Sequence, residues 1–525
     1  MVNSQTKKKS YLIRIINLLL LPALAGLFIA ISFPKFFLSF SFVIGFSLLF
    51  NSLLKDSLIK HLIFSFITGL SFSLVVFNWL TYSMVVYLDV NSLTAVLLLI
   101  GFSIVFSLYQ FVLFSFISYK LKTYLGFEGL LITPFVWVLI ELGREFFPFD
   151  GFPWNLLGYT LTPINEIAQI TSLGGIYTLS LLAIYISLSI FLIFKFREKK
   201  SLYIFFIIFF VFVASYIYGL NRIKSYKDEG IEKKIAIIQG NISQNLKMDR
   251  SKRKYIVDKY VSLIKKADKF NPDIIILPES SLPFAPSYID EVMLRFFIGI
   301  KDIKTKTILT GIDDVYIDIK NIKRKGSLKI YNTITLFSKK GKLLSQYRKI
   351  KLVPFGEYTP KFFSFLAKLL PYLSTDLDFS FGEKKNIIKY KDFKIVPLIC
   401  FESIFPYFVA DFSKKGNIIV NTTNDGWFGK TSAPYQHFEM ARVRSIETGK
   451  YFIRVANTGI SAVITPVGRI KRSLGLEKTG IIITKVYLTD RKTFFVKHLN
   501  IIYSLYILLP IFLTTILVLR KKFYK

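Results

Sequence analysis

Between residues 11 and 220 the chain consists mostly of runs of Leu, Ile, Phe and Val, each about as long as a bilayer's hydrocarbon is thick. No other feature constrains the fold as strongly. A helix needs about 20 apolar residues to cross the hydrocarbon, and in lipid each backbone N–H and C=O must be paired within its own segment, which makes such runs helices. Spans are expected near residues 14–33, 37–53, 60–84, 93–120, 129–147, 173–195 and 202–220. A mixed polar stretch follows, and an eighth apolar run, 499–519, precedes a basic tail. The expected organisation is a multi-pass membrane domain over 1–220 with seven transmembrane helices, an insert over 221–498, and an eighth helix with a basic cytoplasmic tail over 499–525. The first run has no small-residue cleavage pattern and leads straight into another span, so it is read as an anchor rather than a removable leader.

Orientation follows from where the short loops keep their cations. Lys7 to Lys9, Lys55 with Lys60, Lys120 with Lys122, the stretch from Lys195 to Lys200 and the tail from Arg520 to Lys525 share one side, the cytoplasmic one. The opposite loops, 34–36, 85–92 and 148–172, hold only Lys35 as a basic residue. The insert therefore faces outward. It carries 51 Lys and Arg against 26 Asp and Glu, a net +25 of the chain's +35. In a domain tethered beside a bilayer this charge suits anionic headgroups, each cation contributing about 1 kcal/mol, and nucleic acid is set aside as a partner. One outward loop carries Phe147 to Asn155, Phe-Pro-Phe-Asp-Gly-Phe-Pro-Trp-Asn, just after Glu141, Arg144 and Glu145. Those ions fit two readings: an aromatic interfacial belt with its charges in water, or a grip on a headgroup.

Within the insert, short apolar runs at 234–239, 274–277, 307–310, 395–399 and 418–420 read as buried strands. Segments 251–270 and 437–449 repeat their apolar residues at helical spacing, and the alternation predicts an α/β layered domain. Polar residues gather just after the strands, where α/β folds form their sites. Glu279 follows Ile274-Ile-Ile-Leu-Pro, and Cys400, the single cysteine, follows Ile395-Val-Pro-Leu-Ile with Glu402 two residues on. Lys349 and Glu357 lie eight residues apart around a Pro-Phe-Gly turn. A neutral thiol is a poor nucleophile, so it needs a carboxylate to take its proton or a cation to hold the thiolate, and a lysine can also donate to an oxyanion. Residue chemistry alone does not separate the base from the supporting acids. One cysteine rules out an internal disulfide and a thiolate metal cage, and neither metal nor cofactor is expected. His61 and His498 lie at span ends, and His437 by itself makes no metal site and no Cys-His-Asp triad.

Taken together, these segments resemble the Glu-Lys-Cys site of the nitrilase superfamily, and more closely its membrane branch, the apolipoprotein N-acyltransferases. The resemblance runs along nearly the whole chain. It is carried by Gln239-Gly-Asn-Ile-Ser-Gln, Leu277-Pro-Glu-Ser, Leu352-Val-Pro-Phe-Gly-Glu-Tyr, Ile399-Cys-Phe-Glu, Thr423-Asn-Asp-Gly-Trp-Phe-Gly, Gln436-His-Phe-Glu-Met-Ala-Arg-Val-Arg-Ser-Ile-Glu and Asn457-Thr-Gly-Ile-Ser, with the loop around Trp154. It implies a nitrilase-like four-layer α/β sandwich on the periplasmic face of a bacterial inner membrane. Cys400 would be the nucleophile, Glu279 the base and Lys349 the stabiliser of thiolate and oxyanion. Glu357, Glu402 and Phe401 would support them, the two acids by orienting Lys349 and the incoming amine, and Met248, Trp154 and Trp427 would contact substrate. Phe401 stands where the family commonly has Tyr, and Met248 where an aromatic residue is frequent. The implied reaction passes an acyl chain from a phospholipid such as phosphatidylethanolamine, through a Cys400 thioester, to the α-amine of a diacylglyceryl apolipoprotein. A membrane-anchored amidase of nitrilase type is the alternative. The apolar segments 362–372 and 282–288 are expected to form lids over the site.

Overall fold

A computed structural model of the chain describes residues 16–55, 57–87, 90–317, 328–361 and 378–523. It divides into two units, Met1–Lys224 with His498–Lys525, and Ser225–Lys497. The described part of the first unit is helical. Five of its helices are long and apolar enough to cross a membrane: Leu58–Val76, Ser92–Leu125, Ile176–Phe196, Lys199–Ser225 and Leu499–Phe523. The remaining three expected spans correspond to the shorter apolar helices Leu18–Ala30 and Ser41–Leu53, and to Phe127–Arg144, which contains Glu128, Glu141 and Arg144. The first of these ends at Ala30, the residue whose carbonyl would meet the ring of Pro34, with no N–H to bond it, in a continued helix.

Apolar side chains gain little by leaving lipid for one another, so helices in this setting are held by close packing and by hydrogen bonds between them. Gly26 shows the closeness: a Cβ there would lie 2.2 Å from the Thr68 carbonyl oxygen. Ser65 and Ser115 bond across helices at 2.5 Å, and His61 Nδ1 meets Ser52 Oγ at 2.7 Å. Glu141, Arg144 and Glu145 are buried, which removes the reading in which they point into water. Glu141 Oε1 accepts from Trp137 Nε1 (2.9 Å) and from the Leu157 amide (2.6 Å). Glu145 Oε2 accepts from Tyr177 and Tyr503 hydroxyls at 2.9 and 2.8 Å, which ties the last helix to the bundle.

The second unit contains twelve described strands: β1 (Ile231–Gln239), β2 (Ile274–Ile276), β3 (Thr307–Ile317), β4 (Leu328–Ser338), β5 (Leu343–Arg348), β6 (Ile388–Tyr390), β7 (Phe393–Ile399), β8 (Ile418–Thr423), β9 (Phe452–Ala456), β10 (Ser461–Ile464), β11 (Ile470–Leu474) and β12 (Gly480–Leu488). They make two six-stranded sheets, ordered β12-β1-β2-β3-β4-β5 and β11-β10-β9-β8-β7-β6. Each has a parallel core, β1-β2-β3 or β7-β8-β9, flanked by antiparallel strands. The five apolar runs picked out above all lie in these parallel cores, because a strand covered on both faces needs an unbroken apolar sequence.

The sheets pack face to face, β1 against β9 and β4 against β7. Helices Arg253–Asp268 and Glu291–Gly299 cover the first sheet, with Ile256, Val257, Tyr260 and Ile264 packed against Ala236, Ile238, Ile275 and Ile308. Helices Pro406–Ser413 and Ala433–Thr448 lie on the second. The result is a helix-sheet-sheet-helix sandwich whose parallel strands deliver their carboxyl ends, and the residues after them, to one edge.

The segment 282–288 is not a free lid. Leu282 and Phe284 belong to the core of the first sheet, while Tyr288 beyond them is exposed. Apolar residues near a site are ambiguous in sequence between a lid and a core plug, and here the plug reading holds. The expected lid at 362–372 lies outside the described residues.

Candidate active site

Three strand ends and one loop bring the charged residues together. Glu279 follows β2, and its loop lies flat on β3 because Gly311 has no side chain: a Cβ there would sit 2.4 Å from Glu279 Cα. The Gly311 amide donates to the Pro278 carbonyl (3.1 Å), and its own carbonyl accepts from the Ser281 amide (3.0 Å). Lys349 follows β5, its amide bonded to the Asn332 carbonyl at 2.9 Å. Cys400 follows β7 at φ 46°, in the left-handed region that an L-residue enters only when its surroundings enforce it.

Lys349 is 1% exposed and lies between two carboxylates. Its Nζ donates to Glu357 Oε1 at 2.8 Å and stands 3.8 Å from Glu279 Oε1, so Glu357 is the direct partner. Asn332 Nδ2 bridges the two acids, 2.7 Å from Glu279 Oε1 and 3.1 Å from Glu357 Oε1. Burial alone would push the Lys349 ammonium down, but Glu357 and Glu279 more than reverse this and hold it above its ordinary value. Burial, with the charge of Glu357, raises the Glu279 carboxyl. Burial, with the charge of Glu279, also pushes the Cys400 thiol well up. At rest the site therefore holds a thiol beside a carboxylate of raised proton affinity and a fixed ammonium. A raised carboxyl holds a proton more tightly than an ordinary one, which narrows its distance from the thiol that burial keeps protonated. Lys247, partly buried on the short helix Gln244–Met248, donates to the Glu279 carbonyl at 3.2 Å, and burial lowers it to about 8.

Glu402 lies apart from Lys349 and makes no hydrogen bond to it. Its Oε1 accepts from Tyr347 Oη (2.7 Å) and from the Ile350 (2.7 Å) and Lys351 (3.2 Å) amides, and its Oε2 accepts from the Ile399 amide (2.8 Å). One carboxylate thus joins the lysine loop to the cysteine turn. Burial pushes it up to about 6 from 4.5. A carboxyl raised in the fold adds stability below its unfolded pKa, and that stability is lost as the pH climbs through the folded value. The stability difference between wild type and Glu402→Gln, which does not titrate there, is expected to shrink by about 2 kcal/mol from pH 4 to pH 7. Denaturant unfolding in detergent at several pH values measures it, and a flat difference would show an ordinary carboxyl at Glu402.

The sequence reading leaves His437 isolated, whereas the structure sets it beside Cys400 and Asp425, their Sγ, ring nitrogen and carboxylate oxygen all within 4.8 Å of one another. Thiolate, imidazole and carboxylate are a soft-metal donor set. Here a cation is already built in: Arg454 Nη2 lies 2.7 Å from Asp425 Oδ2 and 3.1 Å from His437 Nδ1, so a dication would face a buried guanidinium. The ring's Nε2 is 3.1 Å from the Cys400 carbonyl oxygen, and the imidazole serves the backbone of the cysteine turn.

Of the remaining candidates, Phe401 is buried with its ring edge-on to Phe405, 5.2 Å between centroids. Met248 is exposed and Trp427 partly so. Trp154 is buried in the helical unit against Trp79 and Phe152. Asn332, Asp425, His437 and Arg454 are not among the site residues expected from sequence. For Asn332 and Arg454 a signal existed, a large polar residue inside an apolar strand run, Ile330-Tyr-Asn-Thr-Ile or Phe452-Ile-Arg-Val-Ala. Buried polar groups of that kind need partners.

The carbon-nitrogen hydrolase family model matches residues 234–493, and that of the apolipoprotein N-acyltransferase N-terminal domain matches 25–189. The chain is 34% identical to the apolipoprotein N-acyltransferase of Aquifex aeolicus, over 88% of this chain and 96% of the relative. It is 31% identical to that of Geobacter metallireducens, over 91% of each. Among solved structures, a carbon-nitrogen hydrolase from Helicobacter pylori aligns with a TM-score of 0.38 and 14% identity, covering 52% of this chain and 95% of that one.

Proposed function

The chain belongs to the apolipoprotein N-acyltransferase family, and from that premise we propose that it N-acylates lipoproteins with Cys400 as acyl carrier and a phospholipid as donor. The observation that carries the chemistry is the buried set Glu279–Lys349–Glu357 coupled to the Cys400 thiol.

In the first half-reaction Glu279 takes the Cys400 proton as sulfur attacks the sn-1 ester carbonyl of the donor. Negative charge gathers on the carbonyl oxygen, and Lys349, held charged by its two carboxylates, stabilises it. The C–O ester bond breaks, the leaving oxygen takes the proton from Glu279, and lysophospholipid departs from a thioester. In the second, the lipoprotein's α-amine attacks the thioester and gives up a proton to Glu279. The C–S bond breaks and the thiolate recovers that proton. Two moderate steps replace one difficult one, in ping-pong order.

Both substrates keep their chains in a bilayer, and this supports eight spans with the catalytic unit on the periplasmic face of the inner membrane. Support comes also from the cation bias of the short loops and from the five long apolar helices. Domain limits of 1–220, 221–498 and 499–525 suit that topology. Phosphatidylethanolamine suits the donor's role, and Met248 and Trp427, which keep exposed surface, are proposed to contact substrate.

The test is incubation of the purified full-length protein with phospholipid labelled in its sn-1 chain, followed by mass spectrometry. The expected result is a hydroxylamine-sensitive acyl group on Cys400 that a diacylglyceryl peptide with a free α-amine removes and an N-acetylated peptide does not. Hydrolysis of small amides with no acyl group on Cys400 would instead indicate the amidase alternative.

A further inference from the structure

Beneath the Cys400 turn lies a fully buried polar cluster that the proposed reaction does not use. Helix Ala433–Thr448 brings His437, β8 brings Asn421 and Thr423 with Asp425 just beyond, and β9 brings Arg454. Arg454 donates to Asn421 Oδ1 (2.9 Å) and Asp425 Oδ2 (2.7 Å), and Thr423 Oγ1 donates to Asp425 Oδ1 (3.0 Å). His437 Nδ1 lies 3.1 Å from both Arg454 Nη2 and Asp425 Oδ1. On the ring's other edge, Nε2 lies 3.1 Å from the Cys400 carbonyl oxygen, which also accepts from Ser403 Oγ at 3.0 Å. A proton on Nε2 satisfies the most contacts: the ring then donates to the carbonyl and accepts from the guanidinium. Burial and the charge of Arg454 hold the imidazole below its ordinary pKa, in that neutral form.

These contacts hold one peptide plane. Cys400 keeps its left-handed backbone only while its surroundings enforce it. Because the peptide is planar and trans, fixing the Cys400 carbonyl toward His437 fixes the Phe401 N–H in the opposite direction, away from the cluster. We propose that His437, locked by Arg454 and Asp425, is a positioning residue that sets the Cys400–Phe401 peptide so that its N–H joins Lys349 in holding the oxyanion. This rests on the reading of Cys400 as nucleophile. It also explains an imidazole beside the nucleophile that bonds to its backbone and leaves the proton of the thiol to Glu279.

The test compares two reactions of Cys400 in the full-length protein: acylation by labelled phospholipid, which needs an oxyanion donor, and alkylation by iodoacetamide, which needs only the thiol. In His437→Leu, acylation is expected to fall about 100-fold, through kcat with KM little changed, while alkylation stays within about threefold of wild type. His437→Gln, whose amide can donate to the same carbonyl, is expected to restore about tenfold of the loss. Equal losses in both reactions, unchanged acylation, or no rescue by Gln overturns the inference. Should the Leu variant not fold, Ser403→Ala removes a hydroxyl that bonds both the Cys400 carbonyl (3.0 Å) and His437 Nε2 (3.1 Å), and leaves Asn421, Asp425 and Arg454 in place; the same split, at about fivefold, is expected, and parallel changes overturn it. Wild-type protein that is alkylated but never acylated overturns the acyl-carrier reading instead, which separates the two failures.

Discussion

Lys349→Met is expected to abolish acyl transfer, by about 1000-fold or more, and to destabilise the catalytic unit by about 3–5 kcal/mol. Methionine keeps the length of the chain and removes the charge. Glu279 and Glu357, both touched by Asn332, would then face each other across a buried gap with no cation between them. Like charges so placed cannot both ionise, and one carboxyl takes up a proton. The expected signature combines lost acylation of Cys400, a lower unfolding midpoint and proton uptake near neutral pH. Lys349→Arg keeps the charge but presents a planar fork in place of a compact ammonium, and partial stability without activity is expected of it. Normal acylation in the Met variant would sink the assignment of Lys349.

Glu279→Gln is expected to slow formation of the acyl-enzyme by about 100- to 10,000-fold, the range for a lost general base. The amide fills the same space but cannot take a proton from a thiol that burial holds protonated. Since burial and Glu357 raise the Glu279 carboxyl, the wild-type rate is expected to fall on the acid side at a pH above the ordinary carboxylate range. The Gln variant is expected to lose that limb. Stopped reactions of wild type and variant across pH 4–9 measure both, and an acid limb that survives in the variant would assign it to another group.

Much of this molecule was legible from residue order. Glu279 and Cys400 stand at the ends of apolar strands, and Lys349 and Glu357 flank a Pro-Phe-Gly turn, patterns that need only local sequence to be recognised. Glu402 was legible as a nearby acid but not in its task. Its four donors come from β5 with the loop after it and from the end of β7, and pairing between distant segments leaves no periodicity to detect. Asn332 was hidden for the same reason. It lies in mid-strand opposite Asp313 on β3, and nothing in its own neighbourhood says that two carboxylates converge on it. The segment 282–288 misled because Leu282 and Phe284 carry the same apolar side chains whether they cover a site or fill a core.

Hydropathy and loop charge by themselves set where the chain is expected to meet a bilayer and which way it is expected to face, since the transfer of each segment from water depends on its own composition. The single cysteine likewise settled which thiol could react. Only the tertiary structure decided how that thiol is served: which acid touches Lys349, which one ties the loops, and that His437 grips the backbone of Cys400. Those outcomes depend on distances of about 3 Å between residues from several strands and loops and a helix, set by how two sheets stack rather than by any one segment.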